Sequence, residues 1–370
     1  MWIQQSQLKT SYDAIVIGGG LSGLMTATAL QNEGRKVLVL DRNPQATASC
    51  RHLGLDALPY SATSGPALEF LQRFCEPINF WTVEAGPVTY EAGFKPFVGF
   101  GEQSPRFVGE LDYYLSPQTL FFKVGELDRC LSAMTTQFKG DHLAGYQVTQ
   151  IHTLSGHVTG LTLGHGKIIR TGSLVFCDHA NWLPTVLAAD ALSKKTLKSL
   201  TKTELWTSIL LETTLKKKIS ERPEMHLLMG GKDLGDIFWG FFSPDEVHQT
   251  CQWMGLIPAE DTADSEMVAT TLKKIQKQIK RAYPEFYEFV EKEHISVNYA
   301  SHGSLEIALT DQQTLVGLQN LWMIPQPSPQ QKNLLGLLQQ TLLVLQSLGC
   351  SLNSPHFYPK VPADFVQPSP

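Results

Sequence analysis

Two short apolar runs, residues 14–17 and 37–40, flank a Gly-rich turn and a stretch of helical character. The order predicts strand, turn, helix and strand, with Asp41 closing the second strand. Residues 64–74 read as a helix with Leu68, Leu71 and Phe74 on one face, and residues 125–138 as another, carrying Leu127, Cys130, Leu131 and Met134. Between them, over 80–122, aromatics alternate with Gly and Pro and predict sheet with short turns. Four short strands follow at 146–153, 157–163, 167–170 and 173–176, separated by the turn signals Ser155-Gly156 and His165-Gly166. The last of them is continuously apolar over 174–176, as a strand returning to a buried parallel sheet would be.

Residues 190–325 predict a second, mixed part. Strands are expected at 206–215 and 237–242, and a helix over 264–282 with Met267, Leu272, Ile275 and Ile279 inward. The lysines of that helix (Lys273, Lys274, Lys277 and Lys280) read as a solvated face. A short strand at 321–324 and an amphipathic helix at 334–348 close the pattern, and the Pro-rich tail 354–370 cannot be helical.

The turn itself carries chemistry. Gly18 permits a tight reversal, Gly20 lets a pyrophosphate approach the backbone, and Gly23 lets helix and strand lie close. The helix start at Leu21 and Ser22 then presents free N–H groups to an anion. Asp41 stands where a carboxylate accepts hydrogen bonds from a ribose, which disfavours a 2′-phosphate, although Arg35 and Arg42 lie near it. An acid at that place serves NAD and FAD alike.

Composition narrows the classes. At 370 residues the chain is long enough for two domains, and its net charge of −5 gives no basic field for nucleic acid or anionic membrane. The N-terminus lacks the layout of a signal peptide, and residues 334–348 are too short and too polar to span a bilayer. Six cysteines lie far apart without a C-x-x-C pair, which reads as buried free thiols in a cytoplasmic protein and no metal site.

These segments together resemble the flavoprotein superfamily of amine oxidases, phytoene desaturases and protoporphyrinogen oxidases. The resemblance is strongest at 12–42 and extends through 122–182, where FKVGELDRCLSAMTTQF precedes a strand, a small meander and a returning strand. AYP at 282–284 and LQNLWMIP with the helix after it are placed like later family segments. The resemblance implies an α/β fold: a Rossmann-like FAD-binding domain (10–60, 120–188 and 318–350) interrupted by a mixed α+β substrate domain (61–119 and 189–317), followed by the tail 351–370. It implies FAD as cofactor, held by Gly18, Gly20, Leu21, Ser22, Gly23, Asp41, Arg42 and Val148, with Val148 against the adenine, and a small-molecule substrate. It also exposes departures. Where the family has a Gly-Gly pair and then Arg, this chain has residues 44–49 (PQATAS) with Arg51 only roughly in place, and Ile324-Pro325 replaces a cofactor-binding Gly-Asp.

Flavin chemistry asks little of side chains beyond placement and exclusion of water, and no triad, H-E-x-x-H or P-loop is present. No catalytic residue is assigned. His302 is a candidate for the substrate side against the reading of an ordinary loop histidine. Asp178-His179 follows a strand end, where Asp178 reads first as a helix cap, and Trp239, Phe241 and Phe242 as core or pocket lining. The expected activity is FAD-dependent oxidation of a C–N or C–C bond. A non-catalytic relative that has lost FAD and an NAD-dependent dehydrogenase stand as alternatives. Substrate, electron acceptor and oligomeric state are not legible.

Overall fold

The computed structural model describes residues 4–351 apart from 43–49, 51–52, 60–63, 76–77, 102–103, 113, 117, 189, 202–203, 231–235, 246, 304–306 and 325–333. The departures at 44–49 and Arg51, Pro325 and the Pro-rich tail therefore lie outside the described residues.

A five-stranded parallel sheet organises one part. Its spatial order is Leu321–Met323, Leu174–Phe176, Ala14–Ile17, Val37–Asp41, Asp141–Ala144. The first strand in the chain thus lies at the centre, the next two to one side and the last two to the other. That reversal puts a topological switch point between Ala14–Ile17 and Leu174–Phe176. The apolar runs are continuous because both faces are covered. Ala14 and Val16 pack with the helices Leu21–Asn32, Glu126–Gln137 and Leu334–Ser347, whereas Ile15 and Ile17 pack against the antiparallel meander of residues 148–171. The helix Ser64–Gln72 also joins the first of these cores through Ala67, Leu68, Phe70 and Leu71, although its segment was expected in the second domain.

A seven-stranded mixed sheet forms the other part, ordered Val290–Gly303, Leu205–Leu215, Thr250–Pro258, Ile237–Phe242, His226–Met229, Val88–Tyr90, Phe94–Pro96. The helix Ser265–Ala282 covers one face through Ile275 and Ile279; Asp264 caps it by accepting from the N–H groups of Glu266 and Met267. Met267, expected inward, is exposed, because it sits in the first turn beyond the edge of the sheet core. The opposite face carries Leu210, Trp239, Phe241 and Met254 and meets a three-stranded sheet of Ala57–Pro59, Thr119–Phe122 and Phe80–Val83. Residues 80–122 are not all sheet and turns: Val108–Leu111 is a helix, and the strands divide between two sheets.

The expectation of free thiols fails for two of six cysteines. Cys75 and Cys130 are disulfide-bonded and join the end of the Ser64–Gln72 helix region to Glu126–Gln137, while Cys50, Cys177, Cys251 and Cys350 are buried and outside that disulfide. Their separation of 55 residues in the chain carries no spacing signal.

Two buried histidines give the fold a pH dependence. Burial holds His226 down at about 3 and His142 at about 4. Both are neutral in the folded chain, and His226 Nδ1 lies 2.7 Å from the Tyr283 hydroxyl. Below pH 6.5 the unfolded chain binds protons that the folded chain refuses, so their effect is absent above about pH 6.5 and stability falls as pH drops toward 4. Each contributes about 1.4 kcal/mol per pH unit within its window. Denaturant titrations between neutral and acid pH should show this loss, with a shallower slope in His226→Phe.

Candidate functional site

The site begins with four backbone ends. The Gly18 N–H donates to Leu40 O at 2.8 Å, Cys177 N–H to Ile17 O at 2.7 Å and Ile324 N–H to Phe176 O at 2.8 Å. The carboxyl ends of four adjacent strands are thereby locked in register, and the chain leaves the central one through Gly18 at φ +103°.

Backbone closes this turn to side chains at Gly18 and Gly23. A Cβ on Gly18 would fall 2.3 Å from Cys177 O, and one on Gly23 would fall 1.9 Å from Gly18 O. The sequence reading left out Gly19, whose Cβ position lies 2.4 Å from Asp41 Oδ2; the carboxylate of Asp41 folds over the bare turn. Gly20 is the N-cap of the helix Leu21–Asn32, with no capping side chain and no acidic residue in the first turn. Leu21, Ser22 and Gly23 of that turn are buried. The helix end therefore presents its N–H groups and partial positive charge at the switch point, with no acidic residue in its own first turn.

Asp41 and Val148 are brought close by the chain between them. Asp41 pairs with Ala144 on the neighbouring strand, and Tyr146 N–H donates to Asp41 O at 3.3 Å. Val148 opens the meander two residues later, its side chain buried with Ile15, Ile17, Leu38 and Leu40. Arg42 reaches across the end of the central strand. Its Nη2 lies 2.9 Å from Asp178 Oδ1, and its guanidinium is 5.2 Å from the Trp182 ring. Its charge is thus already balanced within the protein. Asp178 also accepts from the His179 N–H at 2.6 Å; His179, not Asp178, takes the N-cap position of the short helix after it, without a side-chain cap bond, so the cap reading of Asp178 fails. Burial pushes the Cys177 thiol well above its ordinary range, with the Ser22 hydroxyl pulling the other way, so no thiolate stands at this mouth.

A second polar group lies where the parallel-sheet part meets the seven-stranded sheet. Asp56 donates its N–H to Gln252 Oε1 at 2.7 Å, and its Oδ2 accepts from Gly125 N–H at 3.1 Å and Gln252 Nε2 at 3.3 Å. Gln252 Nε2 donates on to Glu212 Oε1 at 2.8 Å. Beside it, Gly54 stands at φ +92° with its Cβ position 2.3 Å from the Tyr114 hydroxyl and 3.1 Å from His302 Nε2. His302 is not a loop residue. It belongs to the strand Val290–Gly303, is 2% exposed and holds Ser301 Oγ at 2.9 Å through Nδ1. Burial raises the Tyr114 hydroxyl far above its usual range, which keeps it a neutral donor.

Aromatic rings lead from this group to the surface: Tyr114 to Trp239 at 6.0 Å, Trp239 to Phe107 at 5.9 Å and Phe107 to Trp206 at 5.5 Å. Phe107 and Trp206 then line an open cleft of about 480 Å³ with Arg106, Leu256, Met267 and Lys274. Trp239 and Phe241 thus face the buried polar group, whereas Phe242 lies on the opposite face, under the long helix. Among the described residues no cluster of His, Cys, Asp and Glu could hold a metal ion, and no helix is long and apolar enough to cross a membrane.

Comparison with known proteins adds the class. Residues 13–81, which contain the whole glycine turn, match the family described as DAO, FAD dependent oxidoreductase. Solved structures share the fold along nearly the whole chain. An oxidoreductase from Methanosarcina mazei superposes with a TM-score of 0.63 at 13% identity, covering 90% of this chain and 99% of that one. Glycine oxidase from Bacillus cereus gives 0.59 at 14% identity over 91% and 95%. NikD, an unusual amino acid oxidase essential for nikkomycin biosynthesis, gives 0.57 at 14% over 95% and 98%. No curated protein matches the chain by sequence. The fold is that of the flavoprotein oxidoreductases, and the family matched at the glycine turn depends on FAD.

Proposed function

We propose that this protein is an FAD-dependent oxidoreductase that oxidises a C–N or C–C bond of a small or apolar substrate. The observation that carries the reading is the glycine turn at the switch point. Gly18 and Gly23 are closed to side chains by backbone and Gly19 lies against the Asp41 carboxylate, while the helix after them begins with neither a side-chain cap nor an acid. Such a cradle fits a dinucleotide pyrophosphate. Gly18, Gly20 and Gly23 would admit it, the N–H groups of Leu21 and Ser22 would face it, Asp41 would hold the ribose, and Val148 would border the adenine. Arg42 would close the mouth through Asp178 rather than bind the cofactor by its charge. FAD bound there would supply a two-electron acceptor, taking hydride at flavin N5.

The rest of the chemistry falls to the second polar group. Asp56, Gln252 and Glu212 fix the sheet face, Tyr114 and His302 offer a neutral hydroxyl and an imidazole, and the aromatic surround excludes water. The cleft at Phe107 and Trp206 is the proposed approach for an apolar substrate.

A binding protein that keeps the fold without the cofactor is the second reading. It is favoured by Ile324, which is fully buried with its N–H spent on Phe176 O at the place where the resembled family uses Gly-Asp. One measurement decides between them. The purified protein should be yellow with oxidised flavin, or become so on adding FAD, at one flavin per chain. A colourless protein that takes up no added FAD would establish the second reading, and tight NADH binding without flavin would point to a dehydrogenase.

A further inference from the structure

The strand Val290–Gly303 is the longest of the described strands and lies at the edge of the seven-stranded sheet, hydrogen-bonded only to Leu205–Leu215 among them. An edge of this length is a template for another strand unless it is protected. Its pairing with Leu205–Leu215 is regular from Lys292 to Asn298, and a bulge follows between Asn298 and His302, with Ala300 at φ +50°, so Tyr299 stands at the limit of the straight stretch. Both faces of its first half are exposed, and three large side chains stand on one face: Ile295 at 40% exposure, Val297 at 42% and Tyr299 at 57%. These alternate residues form a stripe beyond the reach of the Ser265–Ala282 helix, which covers only the inner strands.

The spacing of that stripe is symmetric about Val297. In an antiparallel pair of two identical strands related by a two-fold axis, residues that face each other share a side of the sheet, so their numbers sum to an even constant. Centred on Val297, the pair sets Val297 against Val297, Ile295 against Tyr299 and Tyr299 against Ile295, with Ser296 against Asn298 on the reverse side. No like charges oppose. Centres at Ser296 and Asn298 keep only two of the three apolar pairs, setting Tyr299 against Glu293 and Ile295 against Ser301 respectively. A centre at Ile295 sets Val297 against Glu293 and Tyr299 against Glu291, a centre at Glu293 opposes two glutamates, and a centre at Lys292 opposes two lysines. The charged run 291–293 thus penalises registers slipped toward it, while the apolar stripe is fully paired in only one.

We propose that this edge pairs with the same edge of a second copy, in the register centred on Val297, so that two seven-stranded sheets continue into one. The claim is independent of the cofactor and of the reaction. Light scattering of the purified full chain at micromolar concentration should give twice the mass of one chain. Val297→Lys places two ammonium groups face to face and should weaken the dimer at least about tenfold, with an unchanged circular dichroism spectrum. Val297→Cys should form a symmetric disulfide-linked dimer under mild oxidation, and a Glu293→Cys chain should not. A monomer at these concentrations would overturn the proposal. So would a dimer that Val297→Lys leaves intact, or one in which Glu293→Cys cross-links and Val297→Cys does not.

Discussion

Gly23→Val is expected to strip the protein of flavin and to destabilise it by about 3 kcal/mol or more. The reason is local and rigid. A Cβ at this position would lie 1.9 Å from the carbonyl oxygen of Gly18 and 3.5 Å from a methyl of Val16. The carbonyl cannot yield, because Gly18 is held by its hydrogen bond to Leu40, and the buried Val16 leaves no space for the added methyls. The helix would have to lift from the sheet, taking its N–H groups away from the mouth and opening the core around Leu24 and Met25. Flavin content per folded chain, read after denaturant titration, separates the two effects. Gly86→Ala is the matched control, since nothing lies within 4 Å of its Cβ position. A Gly23→Val chain that keeps a full complement of flavin would place the cofactor elsewhere.

The second large effect is expected at Asp56. Its removal by Asp56→Ala leaves the Gly125 N–H and one Gln252 donor without that acceptor in a buried setting, and costs about 3 kcal/mol. Gln252→Leu should cost a similar amount, because Asp56 N–H and Glu212 both lose a partner. The double variant should be less destabilised than the sum, as the two changes remove one network. Additive losses measured by urea unfolding would mean that the contacts act separately. The network matters beyond stability, since it ties the N-cap of the Glu126–Gln137 helix to the seven-stranded sheet across the junction of the two parts.

The parallel-sheet part was the most legible from sequence. Its central unit is contiguous, both faces of its strands are buried, and its turn chemistry sits within six residues, so pattern and geometry coincide. The strand Asp141–Ala144 was missed, being four residues long with a polar start. The strand Val290–Gly303 was missed for the opposite reason: an exposed edge imposes no alternation, and VEKEHISVNYASHG reads as a polar linker. The disulfide, the pairing of Arg42 with Asp178 and the fold of Asp41 over Gly19 each depend on where distant segments arrive.

What the sequence determined by itself was the dinucleotide-type unit, because glycine spacing, apolar runs and a terminal acid act over one short stretch of chain. The tertiary structure alone decided the second polar group. Gly54, Asp56, Tyr114, Gln252 and His302 span almost 250 positions and meet only because three sheets converge on one buried face. Local propensity encodes a turn, but a buried hydrogen-bond network is chosen by the cost of leaving any of its members unpaired, and that cost exists only once the sheets have closed around them.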